Sequence, residues 1–181
     1  MKKKGTLLLL LGAFVLPVVL AKLVLDLNWY QGGVTNRGKL LAAPVTSAWL
    51  GDSPQWQLIY LLPEACDEKC QGALFNLHQI PLAVGAEKDR VHSVLLRVDP
   101  AADYPALVKK QLNALSQQTV SAQVVAQMHT LEYGTHAIYL ADPLGNVMLA
   151  YPLVAGKAAI LAQGKDVLRD LKRLLKISKI G

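Results

Sequence analysis

The chain has 181 residues, of which 52% are hydrophobic and 18% charged, with two cysteines and a formal net charge of +6. This composition excludes an intrinsically disordered protein, because such chains hold fewer apolar and more charged residues. Two cysteines allow only one bridge, which excludes a disulfide-stapled miniprotein. A protein with several membrane spans is excluded as well, since only one uncharged apolar run approaches the length of a span.

The positive charge lies at the two ends of the chain. Residues 1–22 hold four basic residues and no acidic one, and residues 157–181 hold seven basic and two acidic ones. The segment between them has eight basic and eleven acidic residues. Nucleic-acid-binding proteins spread Lys and Arg over a docking face, so this distribution argues against a nucleic-acid partner.

The N-terminal segment has the pattern of a signal anchor. Three lysines at 2–4 precede sixteen uncharged residues, Thr6–Ala21, and the apolar character resumes after Lys22 and ends at Trp29-Tyr30. This predicts a membrane anchor over residues 1–30 that crosses the membrane within residues 6–30; the alternative is a signal peptide cleaved after Ala21. The positive-inside rule leaves the N-terminus in the cytoplasm and the rest outside. We therefore expect a single-pass protein of a bacterial inner membrane with a periplasmic domain.

Residues 31–50 are predicted to form a linker and lead-in, and residues 51–181 a single globular domain. Apolar spacing within that domain predicts strands at Trp56–Leu62, Val91–Val98, Ser121–Gln127, Ala137–Ala141 and Val147–Tyr151, and helices at Ala65–Ile80, Asp103–Gln117 and Ala158–Ile177. The order β-α-β-α-β-β-β-α predicts a parallel half, made by right-handed crossovers, and an antiparallel half. The fold class that follows is an α/β three-layer sandwich of the thioredoxin type with a mixed central sheet.

The two cysteines lie together just after the first predicted strand. Cys66 and Cys70 are four residues apart at a helix start, which places both thiols on one face, one turn apart. Backbone N–H groups at that helix end and Lys69 favour a thiolate, whereas Glu64, Asp67 and Glu68 oppose it. Such a pair suits Cu(I) or a strained, reducible disulfide; the alternative is a plain structural disulfide or two unrelated thiols.

A histidine is the candidate third ligand. His136 stands directly before the strand Ala137–Ala141, and in this fold that loop faces the start of the first helix. A neutral imidazole beside two thiolates would complete a trigonal copper site. A single histidine in such a position is a metal ligand about as often as it is a residue without that role.

Two motifs carry a resemblance to the Sco/SenC family of thioredoxin-like proteins. One is Trp56–Tyr60 leading into Cys66-x-x-x-Cys70, and the other is Tyr139–Gly145 (YLADPLG). The resemblance implies an assembly factor for cytochrome c oxidase, more a copper chaperone than a turnover enzyme. It implies copper as the metal, Cys66, Cys70 and His136 as its ligands, and an oxidase subunit or its assembly proteins as partners. The family has prolines where this chain has Asp67 and Gln71, and it sets its histidine five residues before the tyrosine rather than three.

Two other functions stay open at this point. The first is a thiol–disulfide oxidoreductase in which Cys66 and Cys70 are the catalytic redox pair. Thioredoxin-like enzymes have two residues between their cysteines and a cis-proline facing them, and this chain has neither feature. The second is a non-catalytic scaffold that presents a docking face to the oxidase.

Overall fold

The computed structural model describes residues 2–27, 29, 35–46 and 53–180. They fall into two compact units, Met1–Thr35 and Asn36–Gly181. The first unit is a single helix, α1 (Lys2–Asp26). Its stretch Leu8–Asp26 has a mean hydropathy of 2.6 and contains no buried residue, so by length and composition it could cross a membrane.

Part of the predicted anchor and linker lies outside the described residues, namely 1, 28, 30–34 and 47–50, as do residues 51, 52 and 181 of the predicted domain. The strand β1 (Lys39–Thr46) lies within the segment predicted as linker and lead-in. The division into anchor, linker and domain therefore stays a prediction.

The second unit contains a six-stranded mixed sheet. Its strands are β1, β2 (Trp56–Leu61), β3 (Val91–Arg97), β4 (Ser116–Thr119), β5 (Ala137–Ala141) and β6 (Asn146–Pro152). Their order across the sheet is β1-β6-β5-β2-β3-β4. β2, β3 and β4 run parallel, whereas β5 and β6 pair antiparallel with their neighbours, as the sequence predicts.

Four helices cover the two faces of the sheet: α2 (Glu68–Val84), α3 (Ala106–Leu112), α4 (Ala122–His129) and α5 (Lys157–Ile177). Residues of α2, α3 and α5 share one core cluster with Leu58 and Tyr60 of β2. Residues of α4 share the other cluster with Ile59 and Leu61. Because side chains alternate along a strand, β2 serves both cores and is buried at every position.

The predicted strand Ser121–Gln127 is wrong, because this segment is the helix α4. Ser121 has extended backbone angles and precedes the first helical residue, and its carbonyl accepts the N–H groups of Val124 and Val125. The adjacent valines suggest a strand, but Val124, Val125 and Met128 share one helical face and pack together on the second core. The third parallel strand is instead β4, which begins within the last two residues of the predicted helix Asp103–Gln117, because the helix α3 ends at Leu112.

A buried carboxylate joins the first residues of this unit to its last helix. Asp170 of α5 is 3% exposed, and its Oδ2 accepts the N–H groups of Arg37 at 2.7 Å and Gly38 at 2.8 Å. The same oxygen accepts the hydroxyl of Tyr151 at 3.1 Å. Burial of Tyr151 is the main cause that raises its pKa, and the negative charge of Asp170 adds to it.

Candidate redox site at the start of the second helix

The cysteine pair lies on the connection from β2 to α2. Leu62 extends the strand by donating its N–H to Leu96 O at 2.9 Å, and Pro63 then ends it. Tyr104 fixes this turn by donating its hydroxyl to Pro63 O at 2.8 Å. The loop therefore delivers Cys66 to the carboxyl edge of the parallel strands, the edge where open α/β sheets bind their ligands.

Asp67 caps the helix between the two cysteines. Its backbone is extended, and its Oδ1 accepts the N–H of Cys70 at 2.8 Å. Aspartate is a favoured N-cap because its oxygen pairs with an N–H that has no partner within the helix. The cap also places a negative charge at the helix end where a thiolate would be stabilised.

Cys66 and Cys70 form a disulfide, with their Cα atoms 5.2 Å apart. The two sulfur-bearing residues differ in access to solvent: Cys70 is 0% exposed within the first core cluster, whereas Cys66 is only partly buried against it. A pair with one accessible and one buried sulfur suits thiol–disulfide exchange, since an incoming group reaches only one of them.

The charge around the disulfide is mainly negative. Glu64, Asp67 and Glu68 are exposed beside the exposed Lys69, and Glu68 Oε1 accepts the N–H of Gly156 at 3.0 Å. Burial is the main cause that raises the pKa of Tyr60, and the negative charge of Asp67 adds to it. Tyr60 shares the first core cluster with Cys70 and stays neutral there.

His136 lies at the same edge of the sheet as the cysteines, and it is exposed. β5 runs antiparallel to β2, with Tyr139 opposite Ile59, so the start of β5 lies beside the end of β2. The backbone of His136 donates to Tyr133 O at 3.0 Å and accepts from Leu153 N at 2.9 Å. Within the part of the chain that the structure describes, no three His, Cys, Asp or Glu side chains form a group that could hold a metal. The trigonal copper site stays a prediction.

A hollow of about 280 Å³ beside the cysteine loop was not predicted. Leu62 and Glu64 of that loop line it together with Arg97, Val98 and Tyr104. The Arg97 guanidinium lies 5.8 Å from the centre of the Tyr104 ring, a cation–π contact. The sequence signal for this hollow is the position of Arg97-Val98 at the carboxyl end of a parallel strand.

The fold and this site define a thioredoxin-like domain with a disulfide at the start of its first sandwich helix. The family model described as "Transmembrane-like, thioredoxin-like, C-terminal domain" matches residues 56–178, and the chain belongs to this family. The predicted thioredoxin-like fold is thereby confirmed. No protein among the curated sequences matches the chain.

Solved structures of Sco proteins share the fold at low sequence identity. Sco1 of Thermus thermophilus in its apo form has a TM-score of 0.52 and 16% identity, covering 79% of this chain and 99% of its own. Yeast Sco1 has a TM-score of 0.51 and 17% identity, covering 81% and 98%. Yeast Sco1 with copper bound has a TM-score of 0.50 and 17% identity, covering 80% and 95%. The resemblance to Sco proteins that the motifs predict is confirmed at the level of the fold.

Proposed function

We propose that this chain is a membrane-anchored assembly factor for a respiratory cytochrome c oxidase, and that Cys66 and Cys70 keep copper-site thiols of its partner reduced. The observation that carries the proposal is the pairing of a partly exposed cysteine, Cys66, with a fully buried one, Cys70, in a single disulfide. The likeness in fold to Sco proteins and the sequence motifs support the oxidase pathway. The apolar stretch Leu8–Asp26 supports the anchor, with the domain in the periplasm of a bacterial cell.

The exchange follows from this difference in access. In the dithiol form, the Cys66 thiolate attacks one sulfur of a partner disulfide, which forms a mixed disulfide and releases one partner thiolate. The Cys70 thiolate then attacks the Cys66 sulfur and releases the second partner thiolate. Two electrons pass to the partner, and the two protons of the cysteine thiols end on the partner's thiols. The Cys66–Cys70 disulfide seen in the structure is the product, and an external dithiol must reduce it for another round.

Trapping variants test the order of attack. In Cys70→Ser, Cys66 can form the mixed disulfide but no second thiol resolves it, so we expect a stable covalent complex with a disulfide-containing partner peptide. Cys66→Ser is the matched control, because the remaining sulfur at position 70 is buried and should trap little. Equal trapping by both variants would contradict the proposal. The double variant should fail to support oxidase assembly; normal assembly in its presence would favour the scaffold.

Copper transfer is the second candidate function, with copper as cargo. A disulfide offers no thiolate, so the pair fits Cu(I) only after reduction, when two thiolates one helical turn apart suit a soft metal. The fold shared with yeast Sco1, whose structure contains copper, favours this candidate. Anaerobic Cu(I) titration of the reduced chain tests it: uptake should disappear in Cys66→Ser and Cys70→Ser. His136→Ala shows whether imidazole is a third ligand, because it then lowers the affinity.

A further inference from the structure

We propose that a groove between α2 and α5 binds an acidic amphipathic helix of the partner on which Cys66 acts; this inference rests on the proposed function. The groove consists of two adjoining hollows of about 300 and 230 Å³ that share Phe75 and Leu161 in their walls. We call it the α2/α5 groove. It lies outside the cysteine loop and outside the hollow at Arg97.

Close packing of the two helices leaves apolar side chains on the surface here. A Cβ on Gly72 would lie 2.7 Å from Cδ1 of Ile160, and a Cβ on Gly164 would lie 2.6 Å from Oδ1 of Asn76. Because these positions have no side chain, the helices meet closely beneath the groove. Larger side chains flank the contact, and Phe75 and Leu161 remain 37% and 44% exposed. Adjoining exposed apolar groups of this kind are typical of binding surfaces.

The groove begins beside the redox site and has the length of a short helix. Glu68 and Gln71, in the wall of its first hollow, belong to the same helical turn as Cys70. Along α5 it extends from Lys157 to Leu168, twelve residues that span about 16 Å. A partner helix of three turns would fill it, with apolar anchors at i, i+3 or i+4, and i+7. Its end would lie next to the disulfide.

Two lysines line the groove against one acidic side chain, Glu68, whose Oε1 accepts the N–H of Gly156, so the charge along the groove favours an acidic occupant. Lys157 and Lys165 are exposed in the walls of the two hollows, two turns apart. The two acidic residues of α5 are engaged elsewhere: Asp166 lies 3.9 Å from Arg37, and Asp170 binds the backbone of residues 37 and 38. A second copy docking through this groove would bring lysines against lysines. A lipid surface could touch Phe75 and Leu161 but could not fill concave hollows.

The test measures how fast the reduced full chain, held in nanodiscs of zwitterionic lipid, reduces the disulfides of different peptides. The probe is a synthetic 14-residue helical peptide with leucines on one face and glutamates on the other, made in two versions that carry a disulfide at either end. A peptide of the same composition in scrambled order and oxidised glutathione are the reference substrates. We expect one version to be reduced about tenfold faster than the scrambled peptide, because docking raises the local concentration of its disulfide.

Paired variants separate the groove from general effects of charge. Leu161→Glu should remove the tenfold advantage, whereas Leu82→Glu, at an apolar residue of α2 that is 62% exposed outside the groove, should keep it. Lys165→Glu should reduce the advantage several-fold, and Lys176→Glu, in the last turn of α5, should not. Reduction of oxidised glutathione should stay the same in all four variants.

Three results overturn the inference. The first is an equal reduction rate for the ordered and scrambled peptides, and the second is an equal loss of the rate advantage in Leu161→Glu and Leu82→Glu. The third is that anionic lipid protects residues 160–168 from hydrogen exchange while the peptide does not bind. The last result would assign the groove to a membrane. Failure of the proposed function looks different, because the wild-type chain would then reduce no disulfide, including oxidised glutathione. Binding of a cysteine-free fluorescent version of the peptide tests the groove independently of redox activity.

Discussion

Replacing Asp67 with asparagine should make Cys66 a better nucleophile and the disulfide a stronger oxidant. Asp67 Oδ1 accepts the N–H of Cys70 at the first turn of α2, so its negative charge occupies the helix end that would otherwise stabilise a thiolate. Asparagine caps helices about as well as aspartate. The substitution therefore removes the charge and keeps the hydrogen bond, which separates the electrostatic effect from loss of the cap.

The expected magnitude is the repulsion between the Asp67 carboxylate and the Cys66 thiolate, because the helix end stabilises an anion in both variants. Two unit charges 4 Å apart repel by about 1 kcal/mol in water and about 4 kcal/mol near a protein surface. Because Asp67 is exposed, we take about 1.4 kcal/mol, near the lower value, which is a tenfold change in thiolate population. For a two-electron couple this energy equals about 30 mV, fully expressed where the thiolate predominates.

The assay is alkylation of the reduced chain by iodoacetamide over a range of pH, together with the reduction potential measured against a dithiothreitol buffer. Asp67→Asn should shift the alkylation curve of Cys66 to lower pH and react about threefold faster on its rising part, because a lower pKa also lowers the nucleophilicity of each thiolate. Asp89→Asn is the control, because Asp89 is exposed in the short turn of helix Lys88–Arg90 before β3, at the opposite edge of the sheet from the cysteines. An Asp67→Asn variant that reacts no faster than wild type would refute the electrostatic reasoning.

Three further predictions concern stability. Gly164→Ala and Gly72→Ala should each lower the free energy of unfolding by about 1–2 kcal/mol in urea titrations, because the new methyl group would lie 2.6 Å from Oδ1 of the buried Asn76 or 2.7 Å from Cγ1 of Ile160. Asp170→Ala should lower the free energy of unfolding by about 3 kcal/mol, because three hydrogen bonds to one buried oxygen are lost. Asp170→Asn keeps an oxygen that accepts hydrogen bonds and should lower it less; an equal loss would contradict this account. Burial raises the pKa of Tyr139 to about 12, so its contribution to stability should hold below pH 10 and fall between pH 10 and 12. Urea titrations at pH 8 and pH 11.5 check this. The free energy of unfolding should fall less between the two pH values in Tyr139→Phe than in the wild-type chain.

The strands that sequence patterns predicted correctly are those whose own residues are almost all apolar. Trp56–Leu61 and Ala137–Ala141 are buried at every position, so a short apolar run between turn residues was a sufficient signal. β1 had no such signal, because it is an edge strand with exposed residues and contains Pro44. It is a strand because it pairs with β6, more than 100 residues further along the chain.

The candidate site divides in the same way. The spacing of Cys66 and Cys70 and their place after a buried strand were sufficient to predict two sulfurs within one helical turn, and the structure joins them in a disulfide. The sequence could not predict which sulfur is accessible. That difference arises because Cys70 points into a core shared by α2, α5 and the sheet, while Cys66 precedes the helix at the core's edge.

The amino-acid sequence by itself determined the α/β class, the apolar N-terminal helix and the position of the cysteine pair, because all three depend on neighbours within a few residues. Tertiary structure decided the exposure of His136, the engagement of both acidic residues of α5 with residues 37 and 38, and the α2/α5 groove. Each of these depends on contacts between segments that lie far apart in the chain. Such contacts exist only after the sheet has ordered its strands and the two helices have packed against each other.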